Sequence, residues 1–200
     1  MTVKLAVLLS GGGTTLQNFI DRIADGRLDA EIPIVVSSTP RAGGIERARK
    51  AGIDVEVVDR REFEDDVALS AAITDVIERY DVDLVILGGF LRRYVFPERW
   101  KGRVLNVHPG PLPQFGGKGM YGHHVHEAVL AAGERESAAS VIIADEEYDH
   151  GPVLVEKRVP VLADDTPETL AARVFAAECD AFPEAVELMA GRLGLTASTP

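Results

Sequence analysis

Five short apolar runs separated by helical patterns constrain this chain more than any other feature. Leu5–Leu9, Ile32–Ser37, Val55–Val58, Leu84–Leu87 and Val104–Val107 are apolar at nearly every position. Runs of this kind suit strands buried on both faces, as in a parallel sheet covered by helices. Between them, Thr14–Asp25, Gly44–Ala51 and Asp65–Tyr80 carry helical patterns, and Gly52 stands where a helix usually stops. The alternation predicts an α/β fold: a single-domain, mostly parallel, doubly wound (Rossmann-like) sheet with helices on both faces. After Pro109 the pattern changes. A Gly-rich loop, Phe115–Gly122, leads to a helix near His124–Ala132, followed by strands around Ser140–Ala144 and Val153–Val159, an antiparallel addition in the C-terminal half. Thr166-Pro-Glu-Thr then opens a helix running toward Met189. One domain is expected over residues 1–193, with a frayed tail over 194–200.

Two hundred residues suffice for one buried core, and 46% hydrophobic with 26% charged residues is ordinary for a globular chain. A net charge of −11 argues against nucleic acid as a partner, because phosphate backbones need a basic surface. It leaves room for a small anion held by a few backbone amides. No run approaches the roughly 20 apolar residues of a membrane span, and no signal-peptide pattern precedes the first strand. The lone Cys179 excludes an internal disulfide and fits a small buried residue on a helix. A cytoplasmic location follows as the expectation, with a monomer or a homodimer both compatible with the charge.

Chemistry concentrates at Asn106-Val-His-Pro. Side chains alternate along a strand, so Asn106 and His108 share a face, and the Pro-rich continuation forces the chain out of the sheet. An amide donor and an imidazole at a sheet's carboxyl end suit acyl transfer: one stabilises an oxyanion, the other moves protons. A capped Asn with a surface His reads the same letters equally well. A second signal is Ser10-Gly-Gly-Gly-Thr-Thr between the first strand and first helix. Its glycines allow close backbone approach, and Gly12, Gly13, Thr14 and Thr15 form a candidate phosphate cradle, against the alternative of a plain strand-to-helix turn. A dinucleotide fingerprint fails, since Leu16 replaces its third Gly and Ser37-Ser-Thr-Pro40 lacks the acidic residue; a P-loop fails because Gly13 is followed by Thr14. The cradle therefore points to a monophosphate. In the acidic turn, Asp145, Glu146 and Glu147 read as solvated, while Asp149 precedes His150-Gly-Pro, a turn able to aim its carboxylate at His108 and raise the imidazole pKa. His124 and His126 have a ligand-like spacing, but residues two apart on a helix diverge, so no metal is expected.

Ser10-Gly-Gly-Gly-Thr, Gly89-Phe-Leu-Arg92, Asn106-Val-His-Pro, His124-Val-His-Glu-Ala and Asp149-His-Gly-Pro-Val-Leu occur in the order found in phosphoribosylglycinamide formyltransferases, and the chain resembles that family from Val3 to Leu193. The resemblance implies Asn106, His108 and Asp149 as a catalytic trio. It implies that Gly12, Gly13, Thr14 and Thr15 hold the 5-phosphate of glycinamide ribonucleotide, and that Glu178 contacts its ribose or glycinamide. It also implies a folate pocket at Leu91, Arg92, Arg93 and Tyr94 with the turn Asp145, Glu146, Glu147 and Tyr148, approached by Arg60 or Arg61. The co-substrate implied is 10-formyltetrahydrofolate, with no metal required. The chain departs from the family in Thr14-Thr15, where Gly-Ser-Asn is more usual, in Ile142, where a His is common, and in the Gly-rich segment around Lys118, which suits a lid or a solvated loop. Formyltetrahydrofolate hydrolase, a methionyl-tRNA formyltransferase and a non-catalytic phosphosugar-binding module are the alternatives. The acidic balance weighs against the tRNA enzyme, and the intact trio against the binding module.

Overall fold

In the computed structural model, which describes residues 2–145 and 147–195, the chain divides into two compact units, residues 2–104 with 187–195 and Leu105–Val186. The first holds four parallel strands, β1 (Val3–Leu9), β2 (Ala30–Ser37), β3 (Asp54–Val57) and β4 (Leu84–Leu87), in the spatial order β3-β2-β1-β4. Helices α1 (Thr14–Ala24), α2 (Gly44–Lys50) and α3 (Asp66–Ile77) connect them. The all-apolar runs behave as expected at the centre: Leu5, Val7, Leu8, Ile34, Val35, Leu84 and Ile86 have no exposed surface. They do not at the edge. β3 was expected to be buried on both faces, yet all four of its residues reach solvent, because β2 is its only neighbour within the sheet.

Helix boundaries follow local chemistry. α3 starts where the Asp65 carboxylate accepts from the Ala68 amide at 2.8 Å, and α2 ends where Gly52 takes a left-handed φ of 73° while Ile53 N–H returns to the Ala48 carbonyl.

The strand order reverses at β1, where chains of this type open a crevice at the carboxyl ends of the strands. There Ser10 joins three segments. Its hydroxyl lies 2.7 Å from that of Ser38 and accepts from Leu91 N–H at 3.1 Å, while its own N–H donates to the Gly89 carbonyl.

The second unit holds β5 (Val104–His108, from its second residue), β6 (Glu136–Ile143) and β7 (Val153–Pro160), paired antiparallel, with helix α4 (His123–Ala131). The antiparallel addition is thus present. Asn106 lies opposite Ile142 and His108 opposite Ser140, so the two polar residues share a face as the alternation requires. Helix α5 (Pro167–Arg192) begins with Pro at its first position, and Thr166 and Thr169 exchange hydrogen bonds from backbone N–H to side-chain hydroxyl. Cys179 is partly exposed rather than buried. Among the described residues no helix is long and apolar enough to cross a membrane.

The side chain of one expected pocket residue belongs to the core. Tyr94 is 4% exposed, and its hydroxyl lies 2.9 Å from that of Thr74 on α3; burial raises its pKa to about 12. Its side chain therefore faces protein rather than ligand. Removing that hydroxyl in Tyr94→Phe leaves Thr74 its bond to the Ser70 carbonyl, so the expected loss is about 1 kcal/mol in urea denaturation, the net value of one hydrogen bond.

Candidate active site

The Asp149 carboxylate is the centre of a polar cluster in the second unit. Oδ1 accepts from Asn106 Nδ2 at 3.3 Å, and Oδ2 accepts from Gly117 N–H at 3.1 Å and faces His108 Nδ1 at 3.3 Å. The three residues paired in the sequence reading thus meet in space. His108 is 2% exposed, and its Nε2 lies 2.8 Å from the Phe115 carbonyl. A carbonyl only accepts, so Nε2 carries hydrogen. Nδ1 then faces a carboxylate, and that contact is attractive only with a proton between them. A proton held between Nδ1 and Oδ2 would make this contact charge-assisted.

Glycines explain how the chain brings these groups together. Asp149 has a φ of 54°, the left-handed region that Asp tolerates better than most side chains. Two residues on, any Cβ at Gly151 would collide with the Ile143 carbonyl, while Ile143 N–H donates to the Pro152 carbonyl at 3.0 Å. Asp-His-Gly-Pro is therefore a tight return onto β6 that aims one carboxylate inward. At Gly116 a Cβ would lie 2.5 Å from Leu112 Cδ2 and 3.1 Å from Asp149 Cβ, so glycine there lets the Phe115–Gly117 backbone reach the pair.

Glu178 on α5 lies close enough to feel His108. Desolvation pushes its carboxyl up to about 7, against a lowering by His108. His126 on α4 was read only as a discarded metal ligand. It is 3% exposed, its Nδ1 has no hydrogen-bond partner among the described residues, and its pKa is lowered by burial first and then by His123 and His108. His124, two residues earlier, is exposed and faces Glu127, so the pair diverges as the helix requires.

The acidic turn splits by role. Asp145 is a structural acceptor: it takes the Glu147 amide at 2.9 Å and pairs with His150 at 2.8 Å. Burial alone would raise its pKa, but these two partners hold it below the usual range, and the Asp145 hydrogen bond raises that of His150. Glu147 and Tyr148 are exposed, as is Lys118; Glu146 lies outside the described residues.

In the first unit, the loop after β1 holds Gly13 at a φ of 72° as the residue before α1. The amides of Gly12, Gly13, Thr14 and Thr15 have no acceptor among the described residues, and a Cβ at Gly11 or Gly12 would meet nothing within 4 Å. Free donors around empty space at a helix start suit an anion. Of the two competing arginines, Arg61 is committed to Asp59 by a forked contact at 2.6–3.1 Å, which leaves Arg60 exposed with its guanidinium unpaired among the described residues. Arg92 pairs with Asp66 at 2.8 Å, while Leu91 and Arg93 are exposed.

Residues 3–186 match the family described as "Formyl transferase". The chain is 40% identical over 190 residues to the chloroplastic phosphoribosylglycinamide formyltransferase of Arabidopsis thaliana, covering 92% of this chain and 64% of that one. It therefore spans less than two thirds of that curated relative. It is 33% identical over 195 residues to the phosphoribosylglycinamide formyltransferase of Haemophilus influenzae, covering 96% of this chain and 90% of that one. Among solved structures, glycinamide ribonucleotide transformylase 1 from Symbiobacterium toebii matches with a TM-score of 0.88 at 34% identity, covering 95% of this chain and 88% of that one.

Two outcomes are expected from this geometry. Gly151→Ala should lower stability by about 1–3 kcal/mol in chemical denaturation, since the return onto β6 has no room for a methyl group. For Glu178, the native carboxyl at about 7 binds its proton more tightly than the ordinary 4.5, so stability falls as pH rises through that window. Urea midpoints at pH 5 and pH 8 should differ less in Glu178→Gln than in the wild type.

Proposed function

The chain belongs to the formyl transferase family, and on that premise we propose that it transfers a formyl group from 10-formyltetrahydrofolate to the amine of glycinamide ribonucleotide, a step of de novo purine biosynthesis. The observation that carries the proposal is the single carboxylate of Asp149 facing both Asn106 and His108. The names of the relatives support the acceptor.

The amine attacks the formyl carbon, forming a carbon–nitrogen bond and driving the carbonyl electrons onto oxygen. Asn106 spends one amide hydrogen on Asp149 and keeps the other for that oxyanion. The His108 imidazolium supplies a second donor through Nε2 once the formyl oxygen takes the place of the Phe115 carbonyl. As the bond to the folate nitrogen breaks, one proton passes from the attacking nitrogen to the leaving nitrogen, relayed by water held at Asp149. No covalent enzyme intermediate is required. Glu178, with its carboxyl near neutrality, orients the glycinamide amine or the ribose.

The cradle Gly12, Gly13, Thr14 and Thr15 takes the 5-phosphate. Donor contacts are assigned, on the resemblance, to Arg60, to Leu91, Arg92, Arg93 and the backbone of Tyr94, and to Asp145, Glu147 and Tyr148. A domain of residues 1–193 and a cytoplasmic location complete the proposal; a single cysteine, Cys179, suits a reducing compartment, although the Arabidopsis thaliana relative is named chloroplastic.

A formyl-transfer assay with both substrates, and a control lacking the amine, tests the reaction. Amine-dependent product is expected; deformylation that ignores the amine would overturn the transferase in favour of the hydrolase. In the same assay Asn106→Ala should lose about two to three orders of magnitude in kcat, the usual effect of deleting one oxyanion donor. Turnover near the wild-type value would remove Asn106 from that role.

A further inference from the structure

Nothing in the reaction above uses helix α2. Its Arg47 reaches back to the loop after β1: Nε donates to the Gly12 carbonyl at 2.8 Å, and Nη1 donates to Gln17 Oε1 on α1 at 3.0 Å. One turn earlier, Gly44 N–H donates to the Gly11 carbonyl at 3.2 Å. Two successive loop carbonyls are thus tied toward α2.

A trans peptide points its C=O and N–H in opposite directions. Tying the Gly11 carbonyl toward α2 turns the Gly12 N–H away from it, and tying the Gly12 carbonyl does the same for the Gly13 N–H. These are two of the four amides without an acceptor. The approach is close enough to forbid side chains. A Cβ at Gly13 would lie 2.5 Å from Gly44 Cα, and one at Gly44 would lie 2.5 Å from Leu9 Cδ2. Gly44 N–H is fixed by that packing, whereas the Gly12 carbonyl depends on one side chain.

We propose that Arg47 is a positioning residue for phosphate binding: it holds the Gly12 carbonyl against α2 so that the Gly13 amide faces the anion. The inference rests on the phosphate-cradle reading above. Its charge alone is a weak explanation. Arg47 lines an open cleft of about 630 Å³ with Gln17, Glu46 and Lys50, where water screens a cation and Glu46 opposes it. Geometry is what the guanidinium adds, because its planar fork serves two acceptors on two elements at once. A lysine would keep the charge and lose the fork.

The test separates the clamp from the reaction. Calorimetric titration of the whole chain with ribose 5-phosphate reads anion binding without turnover, and steady-state kinetics read the KM for each substrate. For Arg47→Met the expected result is about tenfold weaker ribose 5-phosphate binding and a similar rise in KM for the phosphate-bearing substrate, the size of one charge-assisted hydrogen bond. Both kcat and KM for the folate should stay within twofold. Arg47→Lys should recover less than half of the lost binding on a logarithmic scale; full recovery would assign the effect to charge and overturn the clamp. Gln17→Ala, which leaves Arg47 in place with one acceptor fewer, should weaken binding two- to threefold and keeps the question answerable if Arg47→Met melts early. Unchanged ribose 5-phosphate affinity in both Arg47→Met and Gln17→Ala would overturn the proposal even in an active enzyme. Weakened affinity in a chain that transfers no formyl group would instead keep the clamp and overturn the reaction.

Discussion

Everything polar in the second unit depends on the direction of one carboxylate. Asp149 serves an amide side chain, a backbone N–H and an imidazole at once, and it can do so only because its backbone sits at a positive φ directly before a return that excludes any Cβ at Gly151. A carboxylate with these three contacts is well satisfied, which lets it stand in a largely buried place with no arginine or lysine ion pair among the described residues. The same three contacts set the orientation of the Asn106 and His108 side chains. Asn106 is turned so that one N–H remains, and His108 is held with hydrogen on Nε2.

Much of this was legible in the letters because it obeys short-range rules. Apolar runs and helical periods located, among the described residues, the seven strands and five α-helices but not the short 3-10 turns Arg60–Glu62 and Glu98–Trp100, with ends shifted by a few residues where caps decide. Strand alternation put Asn106 and His108 on one face, and Asp-His-Gly-Pro announced a turn with a carboxylate to aim. β3 shows where the rule stops. Val55 and Val57 look like part of a core strand, but whether a strand has one neighbour or two is a property of the sheet, not of its own residues. Tyr94 shows the same limit in another form: an aromatic near a candidate pocket reads alike whether it lines the cavity or fills the core beneath it, and only its bond to Thr74 decides.

What could not be read are the contacts made by backbone atoms. The Phe115 carbonyl on His108, the Gly117 amide on Asp149 and the Gly12 carbonyl under Arg47 involve groups that every residue has, so no residue type advertises them. The indirect signal was glycine. Gly13 and Gly151 mark places where two backbones approach too closely for a side chain, and Gly44 and Gly116 places where a neighbouring leucine side chain fills the space. A glycine whose added Cβ would strike another element carries long-range information, while Gly26 and Gly52, which strike nothing, report only a local turn.

The occupied state of His108 bears on how formyl transfer would favour the transition state over the substrate. Nε2 already has an acceptor in the Phe115 carbonyl, so a neutral formyl oxygen arriving there exchanges one carbonyl for another and gains little. Once the amine has added, the same oxygen carries negative charge and is a stronger acceptor for the Nε2 hydrogen than any neutral carbonyl. The peptide carbonyl of Phe115 never acquires such a charge and cannot compete. Displacing that resting acceptor costs the same in the substrate complex and in the transition state, so the difference that would lower the barrier comes from the charge developing on the formyl oxygen. The buried imidazole pays nothing in unmet hydrogen bonds while it waits.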